Sequence, residues 1–238
     1  MGLFIAAGIT TALALCGFAM LLRQAVDWRP TALAFVIALP LQPLMIYAVR
    51  LPIDGLLRTT FGMVGWVTIV SLFYAPLTEE PAKWLTAAVP DVRRAIVKDP
   101  IVLALAAGVG FGVGEIWFLA HALIKSPGYP DLSFWMFGGF VFERLAVCFL
   151  HGALLLPPFY ALATGRSFLL GGLVGMVLHF LLNFPIYLAG INAFGLGVGW
   201  ASVLLLWIAL FVVLGAILAL SLSRRPRPAT HVRATEEP

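Results

Sequence analysis

Charged side chains are scarce in this sequence. Only 11% of its 238 residues are Asp, Glu, Lys or Arg, whereas 62% are hydrophobic. A soluble domain averages about 25% charged residues. The composition therefore excludes an ordinary soluble protein, and a mean hydropathy of +1.02 agrees with this. The basic residues form no basic helix face, so we expect no nucleic-acid partner.

Cysteine is also nearly absent. Cys16 and Cys148 both fall within apolar stretches, and we expect them to behave as small hydrophobic residues rather than as a disulfide or metal ligands. The sequence HExxH, which places two zinc ligands on one helix face, does not occur.

Long apolar runs fill most of the chain. A membrane-spanning helix needs about 20 mostly apolar residues, and about seven segments meet this requirement. They are roughly 3–22, 31–49, 61–89, 101–124, 134–163, 167–189 and 196–222. We predict an all-α, polytopic membrane helix bundle over residues 1–223, with an interruption of the third helix at Pro76. The polar, Pro-rich segment 224–238 is predicted to be a disordered cytoplasmic tail.

The basic residues between these segments predict the orientation in the membrane. With the N-terminus outside, ten lysines and arginines fall on the cytoplasmic side and three fall outside, as the positive-inside rule requires. The outer three are Arg50, Arg58 and Lys125. We therefore expect a multi-pass protein of a bacterial or archaeal plasma membrane, with its N-terminus outside and its C-terminus in the cytoplasm.

Eight ionisable side chains lie inside the apolar segments. A charge at the centre of a membrane helix costs roughly 2.5–3.5 kcal/mol on insertion scales, so several of them together indicate a function. They are Glu79, Glu80, Lys83, Glu115, Glu143, Arg144, His151 and His179. They come from four predicted helices, and we expect them to meet at one internal site.

The first cluster is the motif Glu79-Glu80-x-x-Lys83. Lys83 lies one helical turn from both acids. One carboxylate can serve as a general base while its neighbour and the cation hold it in place. A clamp that only joins helices is the structural alternative, but such a clamp needs a single acid.

Glu115 follows two interleaved GxxxG steps, one of Gly108 and Gly112 and the other of Gly110 and Gly114. These steps allow a neighbouring backbone to approach closely. Phe111 lies one turn before Glu115. The carboxylate is a candidate for the site or, alternatively, a structural hydrogen-bond acceptor.

Arg144 and His151 are two helical turns apart and share a face. Arg144 is expected to hold a carboxylate, and Glu143 to pair with a cation. His151 is a candidate base or metal ligand, or else a core histidine with a satisfied hydrogen bond.

A stripe of Gly171, Gly175, His179 and Asn183 recurs every four residues along one helix. The small residues allow close packing, so that the imidazole and the amide reach a common point. Both groups can stabilise a developing oxyanion. The structural alternative is a hydrogen bond between helices.

The ordered set of motifs resembles the CAAX-protease and bacteriocin-processing superfamily of intramembrane proteases, and within it the PrsW and YhfC families. The resemblance covers 79–183 and implies a helix bundle around a water-containing cavity in which peptide bonds are cleaved. In the CAAX branch an arginine follows the two glutamates by four residues and the second motif ends in histidine. Here Lys83 and Glu115 stand instead, so we expect His151 to take the place of that histidine.

We therefore hypothesise an intramembrane peptidase, of glutamic or metallo type, acting on a membrane-associated protein or peptide. Glu79 or Glu80 activates water, while His179 and Asn183 stabilise the oxyanion. The alternative is an ion-coupled transporter or proton relay. A metal-free site is slightly favoured, because Lys83 would repel a divalent ion. Zinc is the other possibility, and its ligands would be His151, His179, Glu79 and Glu115.

Overall fold

The computed structural model describes residues 1–62 and 65–224. Within these ranges the protein is all-α and contains no strand, which confirms the predicted fold class. The described residues form nine α-helices, namely α1 (Gly2–Gln24), α2 (Trp28–Met45), α3 (Leu51–Phe61), α4 (Gly65–Trp84), α5 (Pro90–Lys98), α6 (Pro100–Leu123), α7 (Gly138–Ala163), α8 (Phe168–Gly190) and α9 (Gly199–Ser223). Apart from Arg224, the predicted tail lies outside the described residues.

Six helical segments of the described chain are long and apolar enough to cross a membrane. They are Gly2–Gln24, Trp28–Phe61, Pro100–Leu123, Phe134–Ala163, Phe168–Gly190 and Gly199–Ser223. The remaining predicted segment corresponds to α4, whose second half carries Glu79, Glu80 and Lys83 and is less apolar for that reason. The protein is therefore an integral, multi-pass membrane protein in contact with the lipid bilayer.

Helix α6 lies at the centre of the bundle, and its glycines explain why. A methyl group at Gly108 would lie 2.0 Å from the backbone nitrogen of Gly152 in α7. One at Gly110 would lie 2.3 Å from the carbonyl oxygen of Phe35 in α2. The two interleaved GxxxG steps thus face two different helices, so α2 and α7 both pack against the α6 backbone.

Two predictions about the course of the helices were wrong. The second segment does not end at residue 49, because a π-helical turn, Ile46–Arg50, joins α2 directly to α3. The expected outer loop containing Arg50 and Arg58 is therefore helical. Helix α4 also runs through Pro76 without the predicted interruption. Membrane helices tolerate proline, because side chains, neighbouring helices and local adjustments satisfy the freed backbone groups.

A short amphipathic helix, α5, was missed in the predicted cytoplasmic loop. Val92 and Ile96 are buried against the bundle, whereas Arg93, Arg94 and Lys98 are exposed. This helix connects α4 to α6 and keeps its basic residues at the predicted cytoplasmic side.

Candidate functional site

Helix α4 contributes three buried charges to the site, and each has a partner. Arg50, in the π-helical turn, places its guanidinium 2.6 Å from Glu79 Oε1. Lys83 Nζ lies 2.5 Å from Glu80 Oε1, and both of these side chains are completely buried. The two adjacent glutamates therefore point to different cations.

His179 lies between the same two carboxylates. Its Nδ1 is 2.6 Å from Glu80 Oε1, which accepts the hydrogen bond, and its Nε2 is 3.7 Å from Glu79 Oε2. The second separation exceeds a hydrogen-bond length. Glu79 Oε2 is therefore not hydrogen-bonded to the ring.

The glycine stripe of α8 makes this approach possible. A methyl group at Gly175 would lie 2.6 Å from the Leu154 carbonyl oxygen of α7 and 3.8 Å from Glu80 Oε2. A methyl group at Gly171 would likewise lie 2.6 Å from the carbonyl oxygen of Pro157 in α7. The stripe thus packs against α7 and brings His179 to α4.

His151 joins the α4 charges to those of α6. Its Nδ1 lies 3.3 Å from Lys83 Nζ, and its Nε2 lies 3.0 Å from Glu115 Oε2. Because an ammonium group can only donate, Nδ1 accepts from Lys83. The ring proton is therefore assigned to Nε2, which donates it to Glu115.

Arg144 completes this side of the site. Its guanidinium lies 3.1 Å from Glu115 Oε2 and also pairs with Glu143. Phe111 packs edge-on against the His151 ring, and the two ring centroids are 4.9 Å apart. Lys83 Nζ lies over the face of the Phe111 ring, 5.2 Å from its centroid. Phe111 therefore supports both the imidazole and the ammonium group.

The contacts link nine ionisable groups in one sequence, which we name the ionisable network. Its order is Arg50, Glu79, His179, Glu80, Lys83, His151, Glu115, Arg144 and Glu143. Acids alternate with cations or imidazoles except at one step, where Lys83 donates directly to the His151 imidazole. This alternation allows so many charges to remain in an apolar bundle, since each group has an opposite partner.

A cavity of about 410 Å³ adjoins this network. Its ionisable lining residues are Arg50, Asp54, Glu79, Glu115, Glu143, Arg144, His151 and His179. Asn183, one turn beyond His179, also lines the cavity. Glu80, Lys83 and Phe111 are not lining residues and lie behind the cavity wall.

The structure thus distinguishes Glu79 from Glu80, which the sequence presented as equivalent candidates for the general base. Of the two adjacent glutamates, Glu79 faces the cavity and Glu80 does not. Glu80 instead holds Lys83 and His179. A buried carboxylate that accepts from Nδ1 of a histidine fixes the orientation of that ring.

Sequence reasoning missed Arg50 and Asp54 as site residues, because it assigned Arg50 to an outer loop. Both line the cavity, and Asp54 also accepts a hydrogen bond from Tyr74 of α4. Their spacing of four residues was the available signal, since it places both on one face if the chain is helical there.

The alternative zinc site would use His151, His179, Glu79 and Glu115 as ligands. Among residues 1–62 and 65–224, no group of three or more His, Cys, Asp or Glu side chains is placed to hold a metal ion. Three of the four ring nitrogens of His151 and His179 contact Lys83, Glu115 or Glu80 instead.

Comparisons with protein-family models, with curated proteins and with solved structures found no match for this chain.

Proposed function

We propose that the protein is an intramembrane endopeptidase that hydrolyses peptide bonds of membrane-associated substrates with glutamate-activated water. One observation carries the proposal. Helices α4, α6, α7 and α8 each direct a polar side chain into one cavity, namely Glu79, Glu115, His151 and His179 with Asn183. A base, proton donors and room for a peptide are thereby brought together within an apolar bundle.

In the proposed reaction, Glu79 Oε2 accepts a proton from water and the resulting hydroxide attacks the scissile carbonyl carbon. The carbonyl oxygen becomes an oxyanion, which receives a hydrogen bond from the Asn183 amide. His179 adds a second one from Nε2–H when both of its ring nitrogens are protonated, because Nδ1–H is already donated to Glu80. Glu79 then transfers its proton to the leaving amine nitrogen as the C–N bond breaks. Glu79 begins and ends the cycle ionised.

The remaining groups keep these side chains in position. Arg50 holds Glu79 Oε1, which leaves Oε2 directed towards water. Glu80 donates no proton in this scheme and orients His179 through Nδ1. Glu115 and His151, held by Arg144 and Lys83, close the opposite side of the cavity. Membership of a PrsW-like or YhfC-like protease family is part of the same proposal.

The ionisable network itself supports a second candidate, a proton relay or ion-coupled transporter. Linked acids and histidines mark proton pathways in membrane proteins. The innermost members of the network, Glu80 and Lys83, are completely buried, and they lie behind the cavity wall. A protease needs access to the site from only one side, and we favour it on this ground.

A paired assay separates the two functions and tests the base. Purified protein in liposomes is mixed with a set of internally quenched apolar peptides, and parallel vesicles carry a pH-sensitive dye. We expect peptide cleavage without proton flux. Glu79→Gln keeps the side-chain shape but cannot accept the proton, so cleavage should fall about 10²–10⁴-fold.

Leu206→Ala serves as the control, because Leu206 is 72% exposed on α9 and does not line the cavity. It should cleave as the unmodified protein does. Dye signals without peptide cleavage would support the transporter instead. Undiminished cleavage by Glu79→Gln would refute the assignment of Glu79 as the base.

A further inference from the structure

The cavity has a second wall, and its chemistry differs from that of the first. Helices α8 and α9 line it with apolar side chains, which are Leu182, Ile186, Leu204, Trp207 and Ile208. None of these residues contacts the ionisable network through a hydrogen bond. The cavity therefore has an apolar surface from α8 and α9 next to its ionisable residues.

The three α9 residues share one helical face, since they are spaced by three and four positions. Leu205 and Leu206, between them, are 45% and 72% exposed on the outer surface of the bundle. At this level the helix thus presents Leu204, Trp207 and Ile208 inwards and Leu205 and Leu206 to lipid.

Trp207 is held in place by a hydrogen bond to a backbone carbonyl of α8 that lacks the usual helical N–H partner. Its indole Nε1 donates to the carbonyl oxygen of Leu181 at 3.1 Å. In a regular helix that carbonyl would accept from the residue four positions later, but this residue is Pro185, which has no N–H. Pro185 therefore leaves the carbonyl available, and Trp207 uses it to fasten α9 to α8.

The apolar wall also lies beside the proposed reaction centre. Leu182 and Asn183 are adjacent on α8 and both line the cavity. A peptide whose carbonyl reaches Asn183 lies in the same cavity as the wall, so a neighbouring side chain can contact it. A charged side chain would find no partner there and would lose its hydration.

We propose that Trp207, with Leu204 and Ile208, forms a subsite that selects a large apolar side chain next to the bond that is cleaved. The inference rests on the proposed function and names its substrate class, an apolar membrane-embedded peptide segment. In a hydrophobic pocket, one methylene changes selectivity by about 10–200-fold. A peptide with Leu at this position should therefore be preferred to one with Ala by at least about tenfold.

The test uses internally quenched peptides that differ only at this position, with Leu, Ala or Lys. The ratio of kcat/KM between the Leu and Ala peptides is measured for the full-length protein in liposomes. Trp207→Ala removes most of the wall, so this ratio should fall about tenfold. Trp207→Phe should reduce it less, because a smaller ring remains.

Trp200→Phe is the matched control. Trp200 lies in the same helix, and its Nε1 also donates to a backbone carbonyl, that of Ala193, but it does not line the cavity. Its Leu-to-Ala ratio should be unchanged. An equal loss in Trp200→Phe, or no loss in either Trp207 variant, would overturn the subsite.

A binding measurement separates this inference from the proposed function. Peptides of the same three sequences, labelled with the fluorophore but without the quencher, are titrated against Glu79→Gln protein, and binding is measured by fluorescence anisotropy. Suppose that the unmodified protein cleaves no peptide, but that the Leu peptide binds more tightly than the Ala peptide and loses this preference when Trp207 is replaced. The subsite then stands and the peptidase proposal fails. Equal binding of the Leu, Ala and Lys peptides would overturn the subsite.

Discussion

At the scale of single residues, the notable feature is that charges with almost no exposure to solvent are arranged in pairs. Glu80 and Lys83 are both completely buried and lie three positions apart on α4. Taking either charge out of water is expensive, and only the opposite charge offsets that cost. The pair is therefore expected to matter for folding as well as for the orientation of His151 and His179.

We predict that Glu80→Gln and Lys83→Met each lower the free energy of unfolding by about 3–5 kcal/mol, because each leaves one buried charge without its partner. The double variant should cost less than the sum of the two. Unfolding of the purified protein in detergent measures all three values.

An exposed pair with the same spacing provides the control. Arg94 and Asp91 are also three positions apart, but their side chains are 74% and 66% exposed. Exposed ion pairs contribute about 0–1 kcal/mol, so Asp91→Asn should change little. Similar losses at the two pairs would show that burial is not the cause.

Asn183 offers a second test at this scale. If its amide binds the oxyanion, Asn183→Ala should lower kcat about 10²–10³-fold and leave KM nearly unchanged, because an oxyanion donor acts mainly in the transition state. Steady-state kinetics with a cleaved peptide decide the matter. A change confined to KM would make Asn183 a substrate-positioning residue.

At the scale of the helix, close packing between backbones decides which residues meet. Helix α8 approaches α7 through Gly171 and Gly175, and this approach places His179 within hydrogen-bonding distance of Glu80. The glycine stripe was visible in the sequence. The partner helix was not, because a small-residue stripe does not specify what packs against it.

We predict that Gly175→Ala separates α8 from α7, since its methyl group would meet the Leu154 carbonyl oxygen at 2.6 Å. Overpacking of this kind costs about 1–3 kcal/mol, and cleavage should fall because His179 moves away from Glu80. Unfolding in detergent and peptide cleavage are measured together.

Gly190→Ala on the same helix is the control, because a methyl group there meets nothing within 4 Å. It should change stability by no more than about 0.5 kcal/mol. If both variants behaved alike, close approach at Gly175 would not be what positions His179.

At the scale of the whole molecule, the bundle divides its charges between two ends. Arg93, Arg94 and Lys98 of α5 are exposed at one end. Arg50 lies towards the other end, where it turns inwards to Glu79. By the positive-inside rule, the first end is the one predicted to face the cytoplasm.

We therefore predict that a reporter fused after Pro238 is active in the cytoplasm, whereas one placed before Met1 is active outside. Reporters that function in only one compartment, such as a periplasmic phosphatase and a cytoplasmic fluorescent protein, make the measurement. Activity of both fusions on the same side would require an even number of membrane crossings and would exclude a crossing by α4 alongside the six apolar segments.

The sequence by itself determined the all-α membrane class, because apolar runs about as long as a bilayer is thick admit few other folds. It also predicted most of the polar residues that line the cavity, since an ionisable residue inside such a run is costly and indicates a use. Hydropathy reports the depth of a residue in the membrane but not the direction in which its side chain points.

Only the tertiary structure decided how the residues pair. Glu79 and Glu80 are neighbours in the sequence, yet one faces the cavity and the other lies behind it. Their partners, Arg50 and His179, are 29 and 99 positions away. Such pairing depends on the rotation of each helix and on where glycines allow backbones to meet. For the same reason, Arg50 and Trp207 joined the candidate site only once the π-helical turn was placed against α4, and α9 against α8.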